Sequence, residues 1–380
     1  MPLGRCNATP HKRTRVGLGF ARTPRTKWPS IQTGNPDDAR LLPMTYFLKT
    51  ACSLAFAGML SCAFLTGADQ TVKFQSHPDS VEVLIGGKPF TTYYFGSSSP
   101  KPYLHPLRSA EGTVVTRGFP MRIDIPGESP DHPHHRALFF AHGDINGIDF
   151  WGESQPSKQQ QTANGVYYPS DRTPPTGRTV LRKLEDAKAT GDTGTLRGVF
   201  NLVGPDGKTI GSETQEYTFR GDASTRVIDC AITITADQGT PLKMGDTKEG
   251  TFAIRVVKAL QKPGVKMLNS EGKVGEEAIW GKRADWVDYS GVVAGEDLGI
   301  AIFDNPANIK HPTYWHARDY GLFAANPFGE HDFYKDPKRD GSVTISQGQS
   351  LTLRYRVLIH HGDAAEAHIA EAYHQYAESK

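Results

Sequence analysis

Cysteine is almost missing from this 380-residue chain. It has four, Cys6, Cys52, Cys62 and Cys230, and three of them fall in the first 62 positions. A disulfide framework is therefore excluded for the bulk of the chain. Cys230 lies in an alternating run and reads as a small buried hydrophobe. No apolar run approaches the ~20 residues of a membrane-spanning helix, which excludes a multi-span membrane protein. There is no P-loop, no glycine-rich dinucleotide turn, no G-x-S-x-G elbow and no H-E-x-x-H zinc helix. Helical periodicity is scarce, and no repeat of fixed period is visible.

The N-terminal region reads as processing signal rather than fold. From Met44 the chain runs MTYFLKTACSLAFAGMLSCAFLTGADQ. Lys49 supplies a positive start, Ala51 to Leu65 an apolar stretch, and Thr66-Gly67-Ala68 small residues for cleavage. Residues 44–68 are thus predicted to be a signal peptide and residues 1–43 a basic, aperiodic extension that does not pack on the fold. Residues 69–380 are predicted to form one domain, periplasmic or secreted, with no stable membrane span once the signal is removed. Residues 1–68 hold nine of the 43 basic and two of the 41 acidic side chains, so residues 69–380 carry 34 bases and 39 acids, a net charge of −5. An acidic domain is not built to bind nucleic acid.

What is abundant is alternation with period two. Leu351, Leu353, Tyr355, Val357 and Ile359 form one apolar face; Arg226, Ile228, Cys230, Ile232 and Ile234 form another. Phe119, Met121, Ile123 and Ile125 form a third. Shorter runs at Val81–Ile85, Thr91–Phe95, Val114–Arg117, Leu196–Val203, Thr214–Phe219, Thr251–Val257 and Leu298–Phe303 are also strand-like. Gly86-Gly87, Gly204-Pro205-Asp206-Gly207 and Gly221-Asp222 punctuate them as turns. The expectation is an all-β fold, a large antiparallel β-sandwich (supersandwich) with a short C-terminal helix near Asp363–Ser379, capped by Asp363. Residues 155–178, polar and proline-containing, read as an exposed loop.

Chemistry concentrates in DHPHHRALFFAHGDINGIDFW, Asp131 to Trp151. His132, His134, His135, His142, Arg136, Asp131, Asp144 and Asp149 crowd around a short apolar run. Imidazoles move protons near neutral pH and bind metals, and such groups are not buried without partners. Three further segments bring charges and aromatics to expected strand ends: Lys243–Thr251 with Asp246 and Glu249, Trp280–Tyr289, and His311–Phe333 with Trp315, His316 and Arg318. An aromatic against a sugar ring with polar groups at its edge makes a carbohydrate site. His135 is the expected proton donor or acceptor, Glu249 its partner base and His316 a third catalytic group. Arg136 is expected to neutralise an oxyanion or uronate, with His134, His142, Asp144, Trp315 and Arg318 as further substrate contacts. An open His135 would be removable with little loss of stability. A divalent metal, zinc, manganese or iron, is a rival use of His134 with His142, or His135 with His316, together with Asp144.

At these residues the chain resembles a family of exported bacterial proteins that carry the name methane oxygenase, PmoA-like. The shared marks are H-P-H-H-R at His132–Arg136 and A-H-G-D-x-N-G-x-D-F-W at Ala141–Trp151. E-G-T-F at Glu249, G-I-A-I-F-D-x-P at Gly299, the run from His311 to Gly329 and Y-R-V-L-I-H-x-G-D at Tyr355 complete the match. Ala137 stands where the family's pattern has glycine, and Phe139 where it has tryptophan. The resemblance implies a fold similar to the β-sandwich of galactose mutarotases and related sugar-acting enzymes. It does not imply a particulate methane oxygenase subunit, which needs several membrane spans. The function expected is carbohydrate chemistry by general acid and base, as epimerase, lyase or hydrolase, on a carbohydrate or sugar acid. The alternatives are a non-catalytic glycan-binding module and a metal-dependent oxygenase.

Overall fold

The alternating runs become strands in a computed structural model that describes residues 70–153, 160–162, 165–167 and 176–379. The signal-like segment and the basic extension lie outside the described residues, as does part of the 155–178 loop. In chain order the first strands are β1 (Val72–His77), β2 (Ser80–Ile85), β3 (Lys88–Tyr94), β4 (Tyr103–Leu104), β5 (Leu138–His142), β6 (Gln160–Thr162) and β7 (Gly165–Tyr167). Next come β8 (Arg178–Thr190), β9 (Thr193–Val203), β10 (Thr209–Gly221), β11 (Arg226–Thr235), β12 (Leu242–Met244), β13 (Gly250–Arg255) and β14 (Lys266–Asn269). The last are β15 (Trp286–Val293), β16 (Glu296–Asp304), β17 (Tyr314–Ala317), β18 (Leu322–Asn326), β19 (Val343–Ile345) and β20 (Ser350–His361). The α-helices among the described residues are short: α1 (Glu276–Ile279), α2 (Glu330–Tyr334) and α3 (Ile369–Glu378).

Two eight-stranded sheets carry the fold. The first has the order β1-β2-β3-β4-β5-β13-β18-β17, the second β14-β15-β16-β20-β11-β10-β9-β8. All pairings within them are antiparallel. The inner faces meet through side chains. Phe252 of β13 stacks on Tyr355 of β20 at 4.6 Å, and Phe323 of β18 on Tyr289 of β15 at 4.2 Å. One apolar cluster runs through both sheets, from Val81 and Phe140 to Ile232 and Val357. Helix α3 covers the outer face of the second sheet, setting Ile369, Tyr373 and Tyr376 on Trp286, Phe303 and Leu358. The expected sandwich and terminal helix are therefore present, and no helix among the described residues is long and apolar enough to cross a membrane.

Local expectations fail where side chains take backbone hydrogen bonds. Phe119–Ile125 is turn rather than strand. Pro120 has no N–H to give, and the Glu128 carboxylate accepts from the N–H groups of Gly118 and Phe119. Val114–Arg117 makes only isolated bridges, Val114 with Arg108 and Thr116 with Val256. Asp363 accepts from Ala365 and Glu366 in a turn that precedes α3, and the residue before the helix is His368, with φ 51°.

A carboxyl sits between the sheets. Glu213 accepts from the Gln215 amide at 2.6 Å, whose oxygen in turn accepts from Tyr93 and Tyr217 at 2.8 and 2.9 Å. Burial pushes the Glu213 carboxyl up to about 8. The unfolded chain ionises it from about 4.5 upward while the fold keeps it protonated, so its contribution to stability falls as pH rises from 4.5 to about 8. Glu213→Gln is expected to remove that slope, up to about 1.4 kcal/mol per pH unit. Urea melts of both proteins at pH 5 and pH 8 check this: a variant that loses as much stability as wild type would refute it.

Candidate functional site

The first sheet has a second, outward face. On β5, Leu138 and Phe140 point into the sandwich, while Phe139 and Ala141 join a separate cluster with Tyr103, Trp151, Ala253, Leu322 and Ala324. Cross-strand register sets Tyr103, Phe139, Ala253, Ala324 and His316 in one row across five strands. Since Trp315 and Ala317 face the core, alternation puts His316 outward. Two residues further along β13, Arg255 shares that face, opposite Leu322.

Arg255 organises one end of the site. Its guanidinium donates to Asp131 at 2.8 Å and contacts His135 Nδ1 at 3.1 Å. Arg117 meets the same Asp131 oxygen and also donates to the carbonyls of His132 and His135. A guanidinium has no acceptor, so Nδ1 of His135 must accept and the ring proton sits on Nε2. Burial, reinforced by His134 and the cation of Arg255, holds the His135 imidazole well below its usual range, and it stays neutral. Although burial works against it, Asp131 lies well below the usual carboxylate range, through His132, Arg255 and Arg117. The rings of His135, His132 and Tyr320 stack in parallel, 4.8 and 5.4 Å between neighbours. Arg255 and Arg318 lie 4.6 and 5.5 Å from the Tyr320 ring, whose phenol burial pushes up to about 12 against the pull of those cations. Ala137, with φ 34°, holds a left-handed backbone that glycine adopts more readily.

The second cluster corrects the role expected of Arg136. Its Nε and Nη2 are both taken by Glu153, at 2.8 Å each, and its guanidinium packs over Tyr103 at 5.3 Å. It is an anchored structural cation rather than an open fork for a carboxylate. Lys101 lies 3.5 Å from the same carboxylate and donates to the Trp151 carbonyl. Burial pushes Lys101 down to about 8 despite Glu153. His134 packs edge-on to His135 at 4.4 Å and near Trp151.

Across the face, His316 makes the complementary arrangement. Its Nδ1 lies 2.9 Å from the Lys248 carbonyl. A carbonyl only accepts, so Nδ1 carries the proton and Nε2 the lone pair. Burial pushes His316 down to about 4. Glu249, adjacent to Lys248, keeps a partly exposed carboxylate 3.7 Å from the Lys248 ammonium. Arg318 is 3.3 Å from Glu276. Strands β13 and β17 are two spacings apart, ~10 Å, so Arg255 with its histidine and His316 stand apart on the face.

Three expected contacts do not reach this face. Trp315 is fully buried in the sandwich and its indole donates to the Ala284 carbonyl at 2.9 Å, so it is core and not a stacking platform. His142 is fully buried against Phe328, with Nε2 2.9 Å from the Gly245 carbonyl, and burial pushes it down to about 4. Asp144 accepts from the Gly147 N–H and shapes a turn. His135 is itself 1% exposed and braces Arg255, so the expectation that it can be removed without loss of stability is corrected as well. Among the described residues no three His, Cys, Asp or Glu side chains gather as a metal site. Sequence reasoning missed Lys101, Arg117, Glu153 and Arg255. The usable signal was Arg255 in the apolar strand TFAIRVV, where a buried cation demands a partner.

The fold and site thus define an antiparallel β-sandwich with a buried, charge-paired histidine face. The chain belongs to a family of unknown function, DUF6807, whose model matches residues 80–374. No curated protein sequence matches it. Among solved structures it is similar to a galactose mutarotase-like protein from Clostridium acetobutylicum, at 8% identity and TM-score 0.33, covering 77% of this chain and 99% of that one. It is also similar to a GH36 alpha-galactosidase from Geobacillus stearothermophilus, at 11% identity and TM-score 0.38 over 78% of this chain; it spans 42% of that enzyme.

Proposed function

We propose that this protein is exported and acts on an acidic carbohydrate by general acid–base chemistry, with the sugar lying on the outward face of the first sheet between His135 and His316. The observation that supports this most is the opposite tautomers of two neutral imidazoles on one face. His135 offers an Nε2 proton because Arg255 occupies Nδ1, and His316 offers an Nε2 lone pair because Lys248 occupies Nδ1. Removing the proton beside a uronate carboxylate and returning one to the opposite side, or expelling the group β to it, needs one acceptor and one donor across the ring. His316 is the acceptor; His135 is the donor and passes to its imidazolate, which the Arg255 guanidinium at Nδ1 holds. Arg117 and Arg255 share one carboxylate, and Lys101 and Arg136 share another. Arg255 and Arg318, both over the Tyr320 ring, are the cations a sugar acid would meet.

The test is incubation of the exported protein with oligouronates in deuterium oxide, with solvent exchange and product read by proton NMR. His316→Gln is expected to lower turnover by about 10²–10⁴-fold. Because His316 is already neutral at pH 6.5, turnover should persist on acidification and fall only as pH nears about 4. An equal rate in the variant, or a rate that halves near pH 6.5, refutes these roles. Tight binding of oligouronates without turnover would identify a glycan-binding module using the same face.

A further inference from the structure

We infer that the cavity beside Arg318 and Trp280 is a second subsite, which takes a neutral sugar unit adjoining the acidic one. This rests on the acid–base reading for what occupies the neighbouring face, but the cavity has its own chemistry. It measures about 950 Å³ and lies between β14, α1 and the turn at Arg318–Asp319. That is ample for a disaccharide unit, at the upper end of small-ligand sites.

Its charges are already matched within the protein. Lys262 is 3.5 Å from Asp319 and Arg318 is 3.3 Å from Glu276. Glu276 also accepts from the Asp319 N–H at 2.7 Å. The two remaining lining charges, Glu277 and Lys335, are of opposite sign. The three basic and three acidic lining residues balance, so an ionic ligand gains no net charge in the cavity, and their polar groups suit hydroxyls.

Trp280 points to the same ligand. Its ring is held edge-on by Phe333 at 5.5 Å and by His316 at 6.4 Å. It lines the cavity, yet its indole N–H is buried with no acceptor from the protein. That donor is closed to a ligand; what Trp280 offers the cavity is its ring, which suits the apolar side of a sugar. The contact of Trp280 with His316 joins the two subsites, so the substrate class is an acidic heteroglycan in which a neutral unit adjoins the uronate.

The experiment is calorimetric titration of the full protein with cellobiose, galactobiose and mannobiose as neutral probes and digalacturonate as the acidic one. Three proteins are compared: wild type, Trp280→Phe and Val274→Trp. Val274 lines the cavity and is 60% exposed, so a larger side chain there fills space without disturbing the core. At least one neutral probe is expected to bind wild type, with affinity reduced tenfold or more in both variants and digalacturonate binding unchanged in Val274→Trp. No binding of any neutral probe to wild type would overturn the inference, and so would equal binding in all three proteins. His316→Gln separates the two proposals. If it leaves oligouronate turnover intact while neutral probes still need Trp280, the acid–base roles fail and the subsite stands.

Discussion

Acidification from pH 7 to about 4.5 is expected to destabilise this protein steeply, before carboxylates begin to titrate in numbers. Burial holds His105, His142 and His316 each near 4. In the unfolded chain they take up protons from about 6.5 downward. The unfolded state then binds more protons than the folded one, so the stability these groups confer is complete above pH 6.5 and is lost as pH falls towards 4. Each contributes a slope of up to about 1.4 kcal/mol per unit. Glu213 works in the opposite direction over the same window, because its raised carboxyl loses stability as pH rises from 4.5. With His135, which burial holds lower still, four histidines against Glu213 leave a net fall of roughly 4 kcal/mol per pH unit at most, against a total of about 5–15 kcal/mol for a typical domain. Urea midpoints at pH 7, 6 and 5 measure it. A flat profile would mean that the fold admits charged imidazoles at these positions.

Removal of Glu153 is the substitution expected to cost most. Glu153→Ala leaves Lys101 and Arg136 facing each other in a buried site with their shared carboxylate gone. Breaking a buried ion pair by deleting one partner typically costs about 3–5 kcal/mol, because the charge left behind is uncompensated. Lys101 is already pushed down to about 8, so in the variant it is expected to lose its proton near neutral pH. Chemical denaturation of Glu153→Ala beside wild type tests the cost; a loss under 1 kcal/mol would show that water reaches the pair. The same measurement on Arg136→Ala would separate its anchoring role from any loss of turnover.

The sheets were legible because alternation is a local property of the chain. Leu351–Ile359 and Arg226–Ile234 each write one apolar face, and they pair with each other in register, Ile228 opposite Val357 and Ile232 opposite Leu353. The Phe119–Ile125 run obeys the same rule and is not strand, because Glu128 takes the N–H groups that a ladder would need. The site was legible only as a neighbourhood. Histidine density marked Asp131–Trp151, but whether a histidine faces outward from the sheet or into the core depends on partners far along the chain. His142 answers to Gly245, His316 to Lys248 and His135 to Arg255. Trp315 and His316 are adjacent and point to opposite sides of one strand, a distinction that needs the register of β17 and not its composition.

The strand order of the second sheet also bears on how the chain reaches this state. Its centre joins β11 to β20, and the Asp229–Arg356 pair there links positions 127 apart. Until β20 is available, β11 has a vacant edge, and the hairpins β8–β9–β10–β11 present an unfinished apolar surface. Closing so long a loop precedes the contacts that reward it, so refolding belongs to the slow, millisecond-to-second regime of non-local β proteins. During synthesis the same delay leaves β11 open to pairing with other chains. Substitutions that weaken β20 should therefore lower the yield of folded protein more than they lower the stability of molecules that have folded.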